Sequence, residues 1–261
     1  MNHLKQDPFE HLMQIMARLR DPESGCPWDR EQTHHSIIPN LLEETYEVID
    51  AIEQGPAELK DELGDLLLQI ALHAQMTAEK EQFTLEDIAV ALNQKLIDRH
   101  PHVFGDKKAD TPQEAISRWE AVKETQYSDR KSLMDGIPNS FTALMRSEKI
   151  GKRAAKIAFD WPEQEEIVAK VKEELSELLL ELEQKDNSKK VQEEFGDLVF
   201  TLVQLARKLG FSAEVAVEQA NQKFLRRFSH MEDNSKKPLK ELSRAELELQ
   251  WQKAKRDVPP R

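Results

Sequence analysis

A chain of 261 residues is long enough for one large domain or two small ones. Its net charge of −12 disfavours the clustered basic surface that binding to a phosphate backbone requires, so nucleic acid is not expected as a partner, and an anionic ligand would need local cations or a bound metal. The single cysteine, Cys26, rules out an intramolecular disulfide, and no secretory or membrane-length apolar run stands out, so a soluble cytoplasmic protein with no membrane partner is expected.

Only 8 glycines, 6% aromatic residues, abundant Leu, Glu, Lys, Gln and Ala, and no alternating β-branched runs predict an all-α fold. In chain order, "GCPWD" reads as a proline-containing turn before a helix, with Trp28 packing and Cys26 a small buried side chain. His34 and His35 follow without a partner set for zinc. "LLEETYEV" opens an amphipathic helix with Leu41, Thr45, Val48, Ile49 and Ile52 as its core stripe. Glu44 and Glu47 lie roughly −60° and −120° from Leu41 around that helix, at the edge of the stripe. After the break "QGPAE", a second helix carries Leu63, Leu66, Leu67 and Ile70 as its stripe, and Glu62 and Asp65 take the same two angular positions relative to Leu59. The next helix holds Lys95 and Arg99 one turn apart. It should end at the proline of "RHPHVF", which reads as a structured loop, and "GDKKADTP" then precedes a last helix with Trp119 and Lys123.

Past "TQYSDRKSLMDGIP" the series is written again. "VKEELSEL" echoes "LLEETYEV", "EEFGDLVFTLVQLAR" echoes "DELGDLLLQIALHAQ", "QANQKFLRRF" echoes "ALNQKLIDRH", and "QWQKAK" echoes "RWEAVK", in the same order and at an offset of about 130 residues. Two tandem helical copies are therefore expected, 1–128 and 129–261, with "KDNSKK" and "DNSKKP" as the internal breaks of the second. The second copy repeats the acidic pairs as Glu174 and Glu177 on one helix and Glu194 and Asp197 on the next. Glu43, Asp61, Glu173 and Glu193 fall on the far side, about 200° round.

One isolated E-x-x-E is ordinarily a solvated face. Here the pair is doubled within each copy, keeps one phase, and is repeated, so the carboxylates converge if the two helices pack as a hairpin. Four carboxylates at one core edge repel and are desolvated unless a cation neutralises them. Oxygen donors without cysteine or paired Glu-x-x-His favour Mg²⁺ or Mn²⁺ over zinc or iron. The second acidic helix is also apolar on a further face, through Leu68 and Leu72 and, in the second copy, Phe200, which predicts packing of one acidic hairpin on another in a four-helix core and a homodimer of like copies, with pairing of the two copies inside one chain, as a monomer, the alternative.

"EETYE" with "ELGD", and "EELSE" with "EFGD", resemble the E-E-x-x-E … E-x-x-D pattern of the all-α nucleoside triphosphate pyrophosphohydrolases, a pattern also similar to that of dimeric dUTPases and phosphoribosyl-ATP pyrophosphatases. "DPESGCPWDREQT", "LLEETYEV", "RHPHVF" and the duplication narrow the resemblance to the two-domain MazG family over nearly the whole chain. "PNLLEE" departs from it where an aromatic residue more often precedes the leucines. The resemblance implies Mg²⁺-dependent hydrolysis of an NTP or dNTP to the monophosphate and pyrophosphate by a helical dimer, in nucleotide-pool control or house-cleaning. Metal would be held by Glu174, Glu177, Glu194 and Asp197, also the catalytic set, and by Glu44, Glu47, Glu62 and Asp65. It makes Lys223, Arg226 and Arg227, with Lys95 and Arg99 in the first copy, phosphate-binding candidates, against a solvated face as the ordinary reading. Trp251 would wall the base or ribose and Lys255 meet phosphate, against a tryptophan that closes the core. Lys170 and Lys190 are substrate-binding candidates with their neighbours Glu173 and Glu193. The C-terminal half, with the denser basic set, is expected to carry the main activity. The rival functions are a pyrophosphatase narrow for dUTP or an oxidised nucleotide, and a non-catalytic nucleotide-sensing regulator.

Overall fold

The computed structural model describes residues 7–125, 131–184 and 187–259, and these contain twelve α-helices and no strand. The fold is all-α, and the chain divides into two compact units, Met1–Ser128 and Asp129–Arg261. The junction "TQYSDRKSLMDGIP" and the break "KDNSKK" fall partly on 126–130 and 185–186, outside the described residues. No helix among the described residues is long and apolar enough to cross a membrane.

In the first unit, α1 (Pro8–Leu19) starts with Pro8 at its first turn and the Asp7 carboxylate accepting from the Phe9 amide at 2.8 Å, which satisfies an otherwise orphaned donor. The short α2 (Pro27–Glu31) follows, with Cys26 at its N-cap. α3 (Ile38–Gln54) and α4 (Pro56–Ala78) are joined by Gly55 alone. Gly55 has φ +139°, a conformation closed to side-chain-bearing residues, and Pro56 starts the next helix at once, so the chain reverses into a tight hairpin. The core lies where the C-terminal half of α4 meets α1: Met16, Ile37, Ala71, Leu72 and Met76 are buried together, with Leu12, Met13 and Leu19 packed on them. α5 (Leu85–Arg99) opens with a Thr84–Asp87 capping box, α6 (Pro101–Phe104) is one turn long, and α7 (Pro112–Thr125) packs on α5.

The second unit places α8 (Ala143–Ala154), followed by a 3₁₀ turn at Ala155–Ile157, against the hairpin of α9 (Gln164–Leu182) and α10 (Ser188–Lys208). α11 (Ala213–Asn234) packs on α8 and on α12 (Arg244–Asp257). The α8–α10 contact is polar at its centre. Gln204 is 1% exposed, donates to the Ser147 carbonyl at 2.8 Å and accepts from Arg207 Nε at 2.9 Å, while Arg207 also pairs with Asp160. Burial pushes the Asp160 carboxyl upward, but the Arg207 guanidinium outweighs it and holds the group below its ordinary value. Gly151 is required at the crossing because an added Cβ would stand 1.6 Å from Gln204 Oε1.

Several details differ from the sequence reading. The expected core stripe of the first hairpin is only partly covered within its unit: Leu41, Val48, Leu66 and Leu67 are half-buried, whereas Thr45 is exposed, and so are Ile49 at 45%, Ile52 at 61% and Leu63 at 48%. On the further apolar face Leu72 is covered by α1 while Leu68 stays 37% exposed, and Phe200 is half-buried. The covering helices, α1 on α4 and α8 on α10, come from residues outside the repeated acidic blocks. Trp28 is 54% exposed rather than packed, and "PHVF" forms the short helix α6 instead of a loop.

Candidate active site

Each hairpin brings its acidic pairs together. In the first unit, ligand oxygens of Glu44 and Glu47 on α3 and Glu62 on α4 all lie within 4.8 Å of one another; in the second, Glu174 on α9 and Glu194 and Asp197 on α10 do the same. Asp65 and Glu177, outside these tightest triads, still act on them electrostatically. Glu44 is raised above the ordinary glutamate value by burial, then by the charges of Asp65 and Glu47, and Glu62 is raised by burial, Glu47 and Asp65. Glu194 is raised by burial, then by Glu177, Asp197 and Glu174. All four carboxylates of each hairpin thus share one field, and the upward shifts combine burial, the larger cause, with mutual repulsion.

The donor set suits a hard divalent cation. Every ligand is a carboxylate oxygen. The 4.8 Å spread is close to the span of about 4.2 Å between trans oxygens around Mg²⁺ at 2.1 Å, so small side-chain rotations bring the oxygens into one shell. The four carboxylates would also leave positions for water or phosphate oxygen in a six-coordinate shell.

The candidate cations divide by place. Lys170, one turn before Glu174 on α9, stands 2.8 Å from Glu173 and 2.8 Å from Glu174, so it sits on the cluster itself. Those two hydrogen bonds, Glu173 first, hold its ammonium well above the ordinary lysine range. Lys190 pairs loosely with Glu181 at 3.8 Å, and Glu193 is exposed on the same helix. On α11, Lys223 and Arg226 are half-buried, whereas Arg227 donates to the Val258 carbonyl at 3.1 Å and ties α11 to the end of α12. Trp251 rests on Phe224 with ring centroids 5.0 Å apart, and Lys255 is exposed one turn further on. In the first unit the equivalent Trp119 is covered by Arg99 at 5.2 Å, a cation expected to meet phosphate, and by Lys123 at 4.7 Å, its i, i+4 neighbour.

Two contacts went unforeseen. The Gln204–Arg207–Asp160 network joins residues far apart in sequence, and no local pattern announces it. His34 meets His73 through their Nδ1 atoms at 2.8 Å, with nearly parallel rings. A spacing that short is below the thickness of a π-stack, so the rings lie edge to edge and share one N–H···N hydrogen bond. Burial, and then the His34 ring beside it, lower the His73 pKa.

Comparison with known proteins agrees with the duplication. The model of the MazG nucleotide pyrophosphohydrolase domain matches twice, at residues 32–104 and 163–232, spanning the acidic hairpin of each unit. The chain is 46% identical to a nucleoside triphosphate pyrophosphohydrolase of Escherichia coli, over 95% of this chain and 97% of that protein. It is 44% identical to the nucleoside triphosphate pyrophosphohydrolase/pyrophosphatase MazG of Thermotoga maritima, over 95% of both. A Bacillus subtilis protein named only YabN is 36% identical over 95% of this chain, which matches 51% of that longer protein.

Proposed function

This chain belongs to the MazG nucleotide pyrophosphohydrolase family, and we propose that it hydrolyses nucleoside triphosphates to the monophosphate and pyrophosphate with Mg²⁺ or Mn²⁺ bound at its carboxylate clusters. The observation that carries the reading is the convergence of Glu174, Glu194 and Asp197 from two helices within 4.8 Å, beside Lys170. Bound there, the metal would screen phosphate charge and lower the pKa of water. The chain's own groups do the rest. Glu177 and Asp197 orient a water toward the α-phosphorus and take up its proton as the O–P bond forms. Lys170, Lys223 and Arg226 face the negative charge that gathers on the departing pyrophosphate. The C-terminal unit is the main catalytic half, because Lys170, Lys190 and Arg226 have Asn40, Glu58 and Asp98 at the equivalent positions of the first copy. A reducing compartment suits the free Cys26, and clearance of unwanted nucleotides suits a hydrolase of this type.

Product analysis tests the reaction. Pyrophosphate and the monophosphate should appear together in one step, and ¹⁸O from labelled water should enter the monophosphate; orthophosphate and a diphosphate as first products would refute the assignment. Lys223→Ala should lower kcat/KM by about tenfold, and an unchanged value would return that lysine to the solvated face. A panel of bases and sugars run side by side separates broad activity from one confined to dUTP or an oxidised nucleotide. Pyrophosphate release that vanishes in Glu174→Ala excludes a non-catalytic sensor.

We also assign a homodimer. The hairpin of the second unit leaves Leu175, Leu179, Leu182, Phe195 and Leu202 between 44% and 58% exposed, in helical register on one side of α9 and α10. A second copy of the same face covers them with two-fold symmetry. Light scattering should give twice the chain mass of 30.2 kDa, and Phe195→Asp should halve it; a wild-type protein of one chain mass at micromolar concentration would reject the dimer.

A further inference from the structure

The two carboxylate clusters are nearly alike, and what separates them is a tethered cation. In the second unit the ammonium of Lys170 lies 2.8 Å from both Glu173 and Glu174, and Glu174 is the most buried member of its cluster, at 6% exposure. In the first unit the equivalent of Glu174 is Glu44, and the residue one turn before it is Asn40, which brings no charge. A buried carboxylate without compensation is costly, so the metal-free second unit uses its own lysine to neutralise Glu174. The oxygens of Glu174 cannot serve a divalent cation at full strength while an ammonium is held against them, because metal and ammonium repel and compete for the same lone pairs.

We infer that Lys170 is a built-in counter-cation that metal must displace from Glu174, so that metal loading in the C-terminal unit releases the ammonium toward the triphosphate. The inference rests on the metal-site reading above. It makes Lys170 a substrate-binding residue whose two partners are used in turn: Glu174 without metal, phosphate oxygen with it. Metal and nucleotide then favour each other's binding, since each removes an obstacle to the other, and linkage requires the effect to be reciprocal. The N-terminal unit, with Asn40, has no such coupling and binds metal without displacing a charge.

The test is direct Mn²⁺ binding to the full chain without nucleotide, followed by the EPR signal of free Mn²⁺, in a background where Glu44→Gln and Glu62→Gln silence the first cluster. Lys170→Met should bind Mn²⁺ about fivefold or more tightly than the parent, because it removes a competing charge. Lys170→Arg should stay within about twofold of the parent, because it keeps that charge. At saturating Mn²⁺, Lys170→Met should raise KM for the triphosphate. Lys170→Gln supplies the same neutral substitution should the methionine variant misfold. Mn²⁺ affinity that is unchanged or weaker in the neutral variants would overturn the counter-cation role while leaving the metal site standing. Failure of the parent itself to bind Mn²⁺ would overturn the site and the inference together.

Discussion

Excess EDTA should abolish pyrophosphate release, by at least ~10³-fold, and Mg²⁺ or Mn²⁺ should restore it fully, whereas Zn²⁺ should restore it poorly. The expectation follows from the donors. Glu174, Glu194 and Asp197 offer oxygen alone, without the imidazole or thiolate that zinc prefers. The magnitude follows from the charge to be managed: a triphosphate approaching four carboxylates in one electrostatic field is repelled, and the nearby cation Lys170 is already engaged with Glu173 and Glu174. Without metal the site therefore opposes its substrate instead of binding it weakly, and several kcal/mol of lost transition-state stabilisation correspond to factors of ~10³ or more. Assay by pyrophosphate release against free metal concentration reads the effect. Activity that persists in excess chelator, with no metal found by elemental analysis, would remove the carboxylates from catalysis.

The acidic geometry was legible in the sequence because it depends on the helical period alone. Glu174 and Glu177 share one phase, Glu194 and Asp197 share it on the next helix, and a short connection leaves only a hairpin as the way to pack them. Gly55, held at φ +139° with Pro56 behind it, is the same kind of local signal. Long-range choices were not legible. Periodicity marked Leu72 as apolar but could not say that Met16 of α1 covers it, and it placed Ile49 and Ile52 in a core that the first unit leaves open. Directions of long cationic side chains were equally hidden. Arg227 and Lys190 are spaced like ligands, yet Val258 and Glu181 are the partners they meet, because a flexible side chain settles on whatever acceptor tertiary packing brings within reach. The His34–His73 clasp joins two segments 39 positions apart, a distance at which no local pattern operates.

Glu194→Gln should inactivate the enzyme and, without metal at pH 7, raise its melting temperature. Both effects come from the same charge. Burial and the carboxylates of Glu177, Asp197 and Glu174 raise the Glu194 pKa in the folded protein above its ordinary 4.5. A group whose folded pKa lies above the unfolded one binds more protons when folded, so stability falls as pH rises through that window and stays reduced above it. An amide of the same shape carries no such cost. The gain in the variant should therefore be complete at pH 7 and vanish below about pH 4.5, where the wild-type side chain is protonated in both states. Saturating Mg²⁺ should reverse the order at pH 7, because a ligand at free concentration c that binds only the folded state stabilises it by RT ln(1 + c/Kd), and the variant, having lost a full ligand charge, has the larger Kd. The kcat should fall by about 10²-fold or more for the same reason, with helicity by circular dichroism unchanged. Melts at two pH values, each with and without Mg²⁺, separate a functional cluster from a structural one. A variant that melts below the wild type in the absence of metal at pH 7 would mean that Glu194 holds the hairpin together rather than waiting, under repulsion, for a cation.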